Sequence, residues 1–459
     1  MTTLSSRLAV LHIVAVVLVV PPLAAQGPGD PLGGIVAEAL RSNLGLAQEV
    51  RSAERAEAGV REARGRFLPS LSLDARYSEQ SGTLNLGEFV NPAYAALNRL
   101  TGRNDFPTDL DVTLPLRHDS HLRLVQPVFT PAILAGYSLA RNARDGQQLQ
   151  TRVAARRLAA DAQSAYLNAA AARSARKTWE ATLTLVTENE RVAERLVAAG
   201  RATPDVVFRA RADRSDVEQQ LAEAKDAENA AARAFNQILR RPLDTPADEV
   251  PDSLLHFDIG ITEDEAVAGA LAGREELAAA GAGIRAAEAS VRLFTASFLP
   301  SVSLALDYGF QGRDLRFGPN NDYAVASVVV SWNLFNGGSD LARRQAAQAD
   351  AERLRLRRTE LEDLVRLEVR QAYEAAVVAR DAITTADARR AAAARSFELV
   401  RRKYEEGLAS QVEFLDARTA LTSAELNRTV TVYRYAIRYV DLERAAALRR
   451  LDGDSRSTS

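Results

Sequence analysis

Side chains able to do chemistry are sparse in this chain. Its 459 residues hold four histidines and no cysteine. The lack of thiols excludes disulfides, thiolate metal sites, cysteine nucleophiles and a lipid anchor on an N-terminal cysteine. His118 and His121 flank Asp119-Ser120 in a stretch that reads as a loop. These are metal-ligand types, yet a solvated loop satisfies the same pattern. Gly281-Ala282-Gly283, with Ala286, has the form of a dinucleotide-binding fingerprint. It lies inside a helical pattern with no strand before it, so no nucleotide is expected there. No Gly-x-Ser-x-Gly, His-Glu-x-x-His or phosphate-loop motif occurs. A formal net charge of −2 offers nucleic acid no basic surface from which to displace counterions. The expectation is a protein that is not an enzyme and needs neither cofactor nor metal.

What the sequence offers instead is repetition. Phe67-Leu68-Pro69-Ser70-Leu71-Ser72-Leu73 returns 231 residues later as Phe298-Leu299-Pro300-Ser301-Val302-Ser303-Leu304. Ala165-Tyr166 returns as Ala372-Tyr373, and Gly200 as Gly407, at a spacing of 207. The two spacings differ, so the first copy carries extra residues between its proline motif and its long helix. A duplication on this scale calls for one physical job done twice.

Each copy opens with a helical pattern, 34–65 and 263–295, free of proline and rich in Ala, Glu and Arg. Each then meets Phe-Leu-Pro-Ser, where proline stops the helix and favours extended backbone. Alternation comes next. Leu71, Leu73, Ala75 and Tyr77 oppose Ser70, Ser72, Asp74 and Arg76, while Val302, Leu304, Leu306, Tyr308 and Phe310 oppose small or polar residues. Return strands are expected at Leu110, Val112, Leu114 and Leu116, and from Ala324 to Leu334. Between the strands of each pair, 79–109 and 311–322 read as loops, the first of them long.

Soluble hairpins on a core would satisfy this alternation, but nothing else in the chain matches them as a packing partner. Lipid on the apolar face and water on the other satisfies it as well, and that is the pattern of transmembrane barrel strands. Four strands are too few to close a barrel, and open edges cannot sit in lipid. A barrel therefore requires several protomers. Trp332 and Tyr323, near strand ends, suit either an interfacial aromatic belt or ordinary packing.

Long helical patterns occupy 131–199 and 339–406. Positions 365, 369, 372, 376, 379, 383, 386, 390, 393, 397, 400 and 404 are apolar except Arg390, and the positions 207 residues earlier are apolar except Arg176 and Glu190. This is a heptad seam dominated by alanine, which allows close helix approach. Each helix spans on the order of 100 Å. Gly200 and Gly407 suit helix C-termini, and Thr203 and Ser410, three residues on, suit caps for return helices near 205–240 and 411–449. Pro204 suits the first turn of the earlier one.

The segment Tyr404-Glu405-Glu406-Gly407-Leu408-Ala409-Ser410-Gln411-Val412-Glu413-Phe414-Leu415-Asp416-Ala417 resembles the hairpin-tip motif of the TolC family of outer-membrane efflux proteins. The two Phe-Leu-Pro-Ser motifs and the order of elements resemble that family too. The resemblance implies a mainly α protein with transmembrane β-strands. In it, a homotrimer closes a 12-stranded outer-membrane barrel above a periplasmic α-helical barrel. It implies an inner-membrane pump of the RND, ABC or MFS type and a periplasmic adaptor docking on the tips around Gly200, Thr203, Gly407, Leu408 and Ser410. It also implies an entrance ring of acidic residues, falling on Glu413 and Asp416 by motif position. The other role open to these two is that of acids at a helix start, favourable there in any case. In the first copy Val206 holds the corresponding position and Asp205 sits one residue early, so Asp205 and Tyr404 stand as secondary gate candidates.

The expected organisation is a signal peptide (1–25), with Arg7 before the apolar run Leu8 to Val20, and a first repeat (26–242). A Pro-rich connector (243–262), a second repeat (263–450) and a polar tail (451–459) complete it. The expected function is an exit duct in the outer membrane of a Gram-negative-type bacterium. The alternative is a soluble periplasmic coiled-coil adaptor or scaffold.

Overall fold

The computed structural model describes residues 31–79, 84–111, 113–114, 117–246, 255, 257–312, 318 and 321–449. The expected signal peptide, the polar tail and most of the Pro-rich stretch of the connector lie outside them. Each opening helix is two helices. α1 (Pro31–Ser42) and α2 (Leu44–Gly65) meet at Asn43, while α6 (Glu263–Gly273) and α7 (Glu275–Thr295) meet at Arg274. The continuous helices expected at 34–65 and 263–295 are thus broken at equivalent points, 231 residues apart. Both junction residues are extended. Asn43 repays the break by accepting the Leu46 N–H at 3.1 Å, and Arg274 binds Glu276 and Glu368 with its guanidinium.

The sheet is four-stranded and antiparallel. β1 (Ser70–Tyr77), β4 (His118–Phe129), β5 (Ser301–Gly312) and β6 (Asp322–Ser331) lie in that order, so the two copies join through β4 and β5. The return strand of the first copy is therefore β4 and not 110–116. Two-residue β2 (Leu84–Asn85) and β3 (Thr113–Leu114) form a separate ribbon, and Leu110 is tied to α3 (Gly87–Thr101) by the Asn91 side chain. Val112 and Leu116 lie outside the described residues. Twelve-residue β4 finds a strand on either side, which the shorter alternation at 110–116 does not. The loop expected at 79–109 contains α3, because Gly87 and Gly102 punctuate the ends of a helix there; Gly102, at φ 62°, stops it.

Register confirms the alternation. Leu73, Leu122, Tyr308 and Ala324 lie in one row on the apolar face; Ser72, Arg123, Asp307 and Val325 lie in one row on the other. Among the described residues no helix covers the apolar face: Leu71, Leu73, Val328 and Val330 stay between 63% and 71% exposed. On the opposite face Arg123 donates to Asp307 at 2.7 and 3.2 Å, and the Tyr323 hydroxyl donates to Asp119 at 3.1 Å. His118 and His121 belong to strand β4, not to a loop, and point to opposite faces because they lie an odd number of positions, three, apart along the strand. They cannot share a ligand.

Below the sheet, α4 (Pro131–Ala198) and α5 (Asp205–Leu239) form the first hairpin, and α8 (Ser339–Glu405) and α9 (Gln411–Ala445) the second. The heptad seam is the buried face of both long helices: Val365, Val369, Ala376, Ala379 and Ala386 are buried, as are Ala162, Ala169, Val186 and Ala193. The core is duplicated too. Ala39, Ala162 and Phe235 occupy in the first copy the places of Ala270, Val369 and Leu442 in the second. A third cluster joins the copies, with Leu167 of α4 against Tyr433 and Ala436 of α9. Ala282, from the fingerprint-like Gly281-Ala282-Gly283, is fully buried in α7 at the point where it meets Gly146 of α4. The motif is a close helix crossing. No helix among the described residues is long and apolar enough to cross a membrane.

One ion pair ties the copies where the hairpins begin. Buried Arg156 of α4 grips buried Glu275 of α7 with two bonds, at 2.8 and 2.6 Å, and also donates to the Arg449 carbonyl. Removing one partner strands a buried charge. Arg156→Ala or Glu275→Ala should each cost about 3–5 kcal/mol, whereas the combined Arg156→Met and Glu275→Leu variant should recover most of that loss. Denaturation of the purified protein measures both, and a double variant as unstable as the singles would contradict this account.

Candidate functional site at the paired hairpin tips

Both hairpins turn in the same way. Gly200 and Gly407 adopt φ of 68° and 76°, a left-handed conformation that glycine enters without steric cost. The Arg201 N–H reaches back to the Leu196 carbonyl at 2.9 Å, and the Leu408 N–H to the Lys403 carbonyl at 2.7 Å. These bonds close the last turn of each long helix. The two tips differ in how the return helix begins.

At the second tip, Ser410 and Glu413 form a complete capping box. The Glu413 N–H donates to the Ser410 hydroxyl oxygen at 3.2 Å, and the Glu413 carboxylate accepts from the Ser410 N–H at 2.7 Å. These bonds hold the exposed Glu413 carboxyl below its ordinary value. At the first tip the expected cap by Thr203 is absent. Pro204 occupies the cap position, without a side-chain acceptor, and the Thr203 hydroxyl is engaged by the Asp205 carboxylate. Asp205 also pairs with Arg209 at 3.6 Å.

The candidate acids are thus unequal. Glu413 is bound to its own helix start, the second of the two roles open to it. Asp416 is exposed and has no hydrogen bond or ion pair among the described residues. Tyr404, half-buried, stacks on the buried Phe414 with ring centroids 4.9 Å apart, so it braces the hairpin from inside. Burial raises its hydroxyl pKa, and no partner meets that oxygen among the described residues. Leu408 projects at the tip, 73% exposed.

Sequence reasoning missed the links between the hairpins. Gln411 donates to the Val206 carbonyl at 2.9 Å, and Arg418 donates to Asp213 at 2.6 Å. Both links join residues 205 positions apart, nearly the spacing of the repeat, and reach from α9 to α5 across the tips, while α9 packs along α8 and α4. Burial raises the Asp213 carboxyl; Arg418 opposes that and Asp216 adds to it. At the level of the Gln411–Val206 link a cleft of about 840 Å³ opens between the tips, lined by Val192, Leu196, Val206, Tyr404 and Phe414 among others. The signal was present: Gln411, Phe414, Arg418 and Thr422 share one face of α9, and Ala210, Asp213 and Val217 one face of α5. A charge set on an otherwise buried face asks for a partner on the facing helix.

Residues 267–448 match the family model described as outer membrane efflux protein. Over 190 residues the chain is 34% identical to Protein CyaE of Bordetella pertussis, an alignment spanning 40% of this chain and 38% of that protein. Among solved structures, CusC superposes with a TM-score of 0.75 at 17% identity, covering 90% of this chain and 91% of its own. The CmeC outer membrane channel of Campylobacter jejuni superposes with a TM-score of 0.75 at 17% identity, covering 90% and 85%. The second repeat thus matches the outer membrane efflux protein model by sequence, and the whole chain shares the fold of these solved channel structures.

Proposed function

We propose that the chain is one protomer of a homotrimeric exit duct in the outer membrane. The duct passively conducts substrate delivered by an inner-membrane pump of the RND, ABC or MFS type through a periplasmic adaptor. One observation carries the reading: a sheet whose apolar face is uncovered and whose edges, β1 and β6, are unpaired among the described residues stands at the end of two hairpins. In lipid those edges need strand partners. Three copies pairing β6 with the next β1 supply twelve strands, a number able to close. The apolar face then meets hydrocarbon, the Arg123–Asp307 face lines water, and Trp332, exposed beyond β6, stands at the membrane rim. The organisation is then a leader (1–25), two repeats (26–242 and 263–450) around the 243–262 connector, and a tail (451–459). A soluble coiled-coil adaptor would have no use for an uncovered apolar sheet.

The tips are the proposed periplasmic entrance. Gly200, Thr203, Gly407, Leu408 and Ser410 form the adaptor-docking surface, and exposed Leu408 is its apolar contact. Three copies of Asp416 and Glu413 form the acidic entrance ring, with Asp416 freer to meet a passing cation and Glu413 fixed by its cap. Tyr404 and Asp205 serve as secondary gate residues, and the Arg418–Asp213 and Gln411–Val206 links hold the hairpins together in the resting state.

Fractionation tests the reading as a whole. The protein should leave the outer membrane only with detergent and sediment as a trimer; recovery in the soluble periplasmic fraction would overturn it. For the ring, Asp416→Ala combined with Glu413→Ala should raise single-channel conductance or relieve cation block in planar bilayers, with Asp416→Ala alone giving most of the change. Unchanged conductance and block would refute the ring.

Acidification should separate the links from the cap. The raised Asp213 carboxyl is held nearer its neutral form by the linked arrangement than it would be in water, so by linkage mild acidification, beginning above the ordinary Asp value of about 4, favours the linked tips. The lowered Glu413 carboxyl contributes stability above its unfolded value, which persists until pH falls through its depressed folded value. Conductance should therefore fall on mild acidification while the helix start stays intact. The Asp213→Asn variant, neutral at every pH, should lack that step; a wild-type response in this variant would contradict the assignment.

A further inference from the structure

The connection between β1 and β4 lies at the end of the sheet away from the hairpins, and its residues 84–111 are built, not slack. Asn91 of α3 accepts from the Leu110 N–H at 2.9 Å and donates to the Leu110 carbonyl at 2.8 Å. One heptad on, Asn98 treats Phe106 in the same way, at 3.0 and 2.7 Å. Gly87 lies so close to this return segment that a Cβ there would stand 1.7 Å from the Leu110 carbonyl oxygen. Gly87, Asn91, Tyr94 and Asn98 thus fix one face of α3 against its own loop.

The opposite face carries Phe89, Pro92, Ala93, Ala96, Leu97 and Leu100, at the spacing of a continuous apolar stripe. Nothing among the described residues covers it: Phe89 is 69% exposed and Leu100 84%. A rigidly clamped helix presenting such a face calls for a partner. Lipid is a poor one. Helices lying on a membrane surface carry Lys or Arg on their polar face, whereas here that face is clamped to the loop through asparagines. Residues 84–111 carry Glu88, Asp105, Asp109 and Asp111 against only Arg99 and Arg103, a balance that anionic headgroups repel.

A second copy of the same helix fits better. The loop rises from β1, the free edge at which the next protomer joins in the proposed trimer, so this inference rests on that reading. Twelve strands about 4.8 Å apart and tilted about 40° close on a backbone diameter of roughly 24 Å. Three helices of about 10 Å diameter around an axis span about 20 Å, and fifteen residues reach about 22 Å. We infer that the three α3 helices of the trimer meet stripe to stripe on the symmetry axis and plug the outer mouth of the barrel, as a closure separate from the periplasmic tips.

The cysteine-free chain gives a direct test. Leu100→Cys and Leu97→Cys, each oxidised in isolated outer membranes, should yield disulfide-linked dimers within the trimer. Arg103→Cys, exposed just past the helix, should not. Trimer content is read independently by sedimentation in detergent. An intact trimer without α3 cross-links, equal cross-linking at Arg103→Cys, or labelling of α3 by a photoactivatable lipid would overturn the plug and leave the duct standing. Absence of the trimer would overturn the duct itself, and the plug with it.

Discussion

Close contact along the alanine seam is the interaction on which the rest of this structure rests. Two helices of nearly 70 residues cannot stay alongside their neighbours over on the order of 100 Å if large side chains hold them apart unevenly. Alanine at Ala162, Ala169, Ala193, Ala376, Ala379 and Ala386 keeps the separation small, and Gly146 against Ala282 extends this to α7. The packed hairpins then deliver β4 and β5 side by side at one end and the two turns within reach of each other at the other. Each segment gains little from a short side chain, so the stability comes from length and from the clusters and ion pairs where the helices begin.

Duplication supplies two near-copies of one unit, and the useful differences lie at its ends. The second tip is capped by Ser410 and Glu413, while the first starts on Pro204 with Thr203 turned to Asp205. At the other end the first copy carries the long loop with α3. The middle stays nearly symmetric because each half buries the same seam, whereas the tips and loops face solvent or partners and are free to diverge.

Much of this was legible in the residues alone. Strand alternation, the heptad seam, the glycine turns and the duplicated Phe-Leu-Pro-Ser motif all express local periodicity, and local periodicity is what a single sequence carries. The errors came where local signals competed. Leu110 to Leu116 alternates as well as many strands do, but β4 has twelve residues and a strand on each side, and Asn91 draws Leu110 into the loop. The glycines and proline of 79–109 suggested irregular chain, when Gly87 and Gly102 mark the ends of a helix. Asn43 and Arg274 break helices whose periodicity runs through them, since capping bonds and ion pairs offset the lost helical bond.

The sequence alone determined the elements, their duplication and the two-faced character of the strands, because each depends on residues close together in the chain. Which elements touch was decided by tertiary structure: β4 pairs with β5 across the two copies, Arg156 meets Glu275, and Arg418 meets Asp213 at a distance of 205 residues. These contacts form between surfaces that satisfy their own periodicity equally well before they meet. Their geometry is fixed only when the long helices pack and carry distant side chains into reach. The uncovered faces of the sheet and of α3 belong to the same level, since exposure is a property of the packed chain and not of any segment in it.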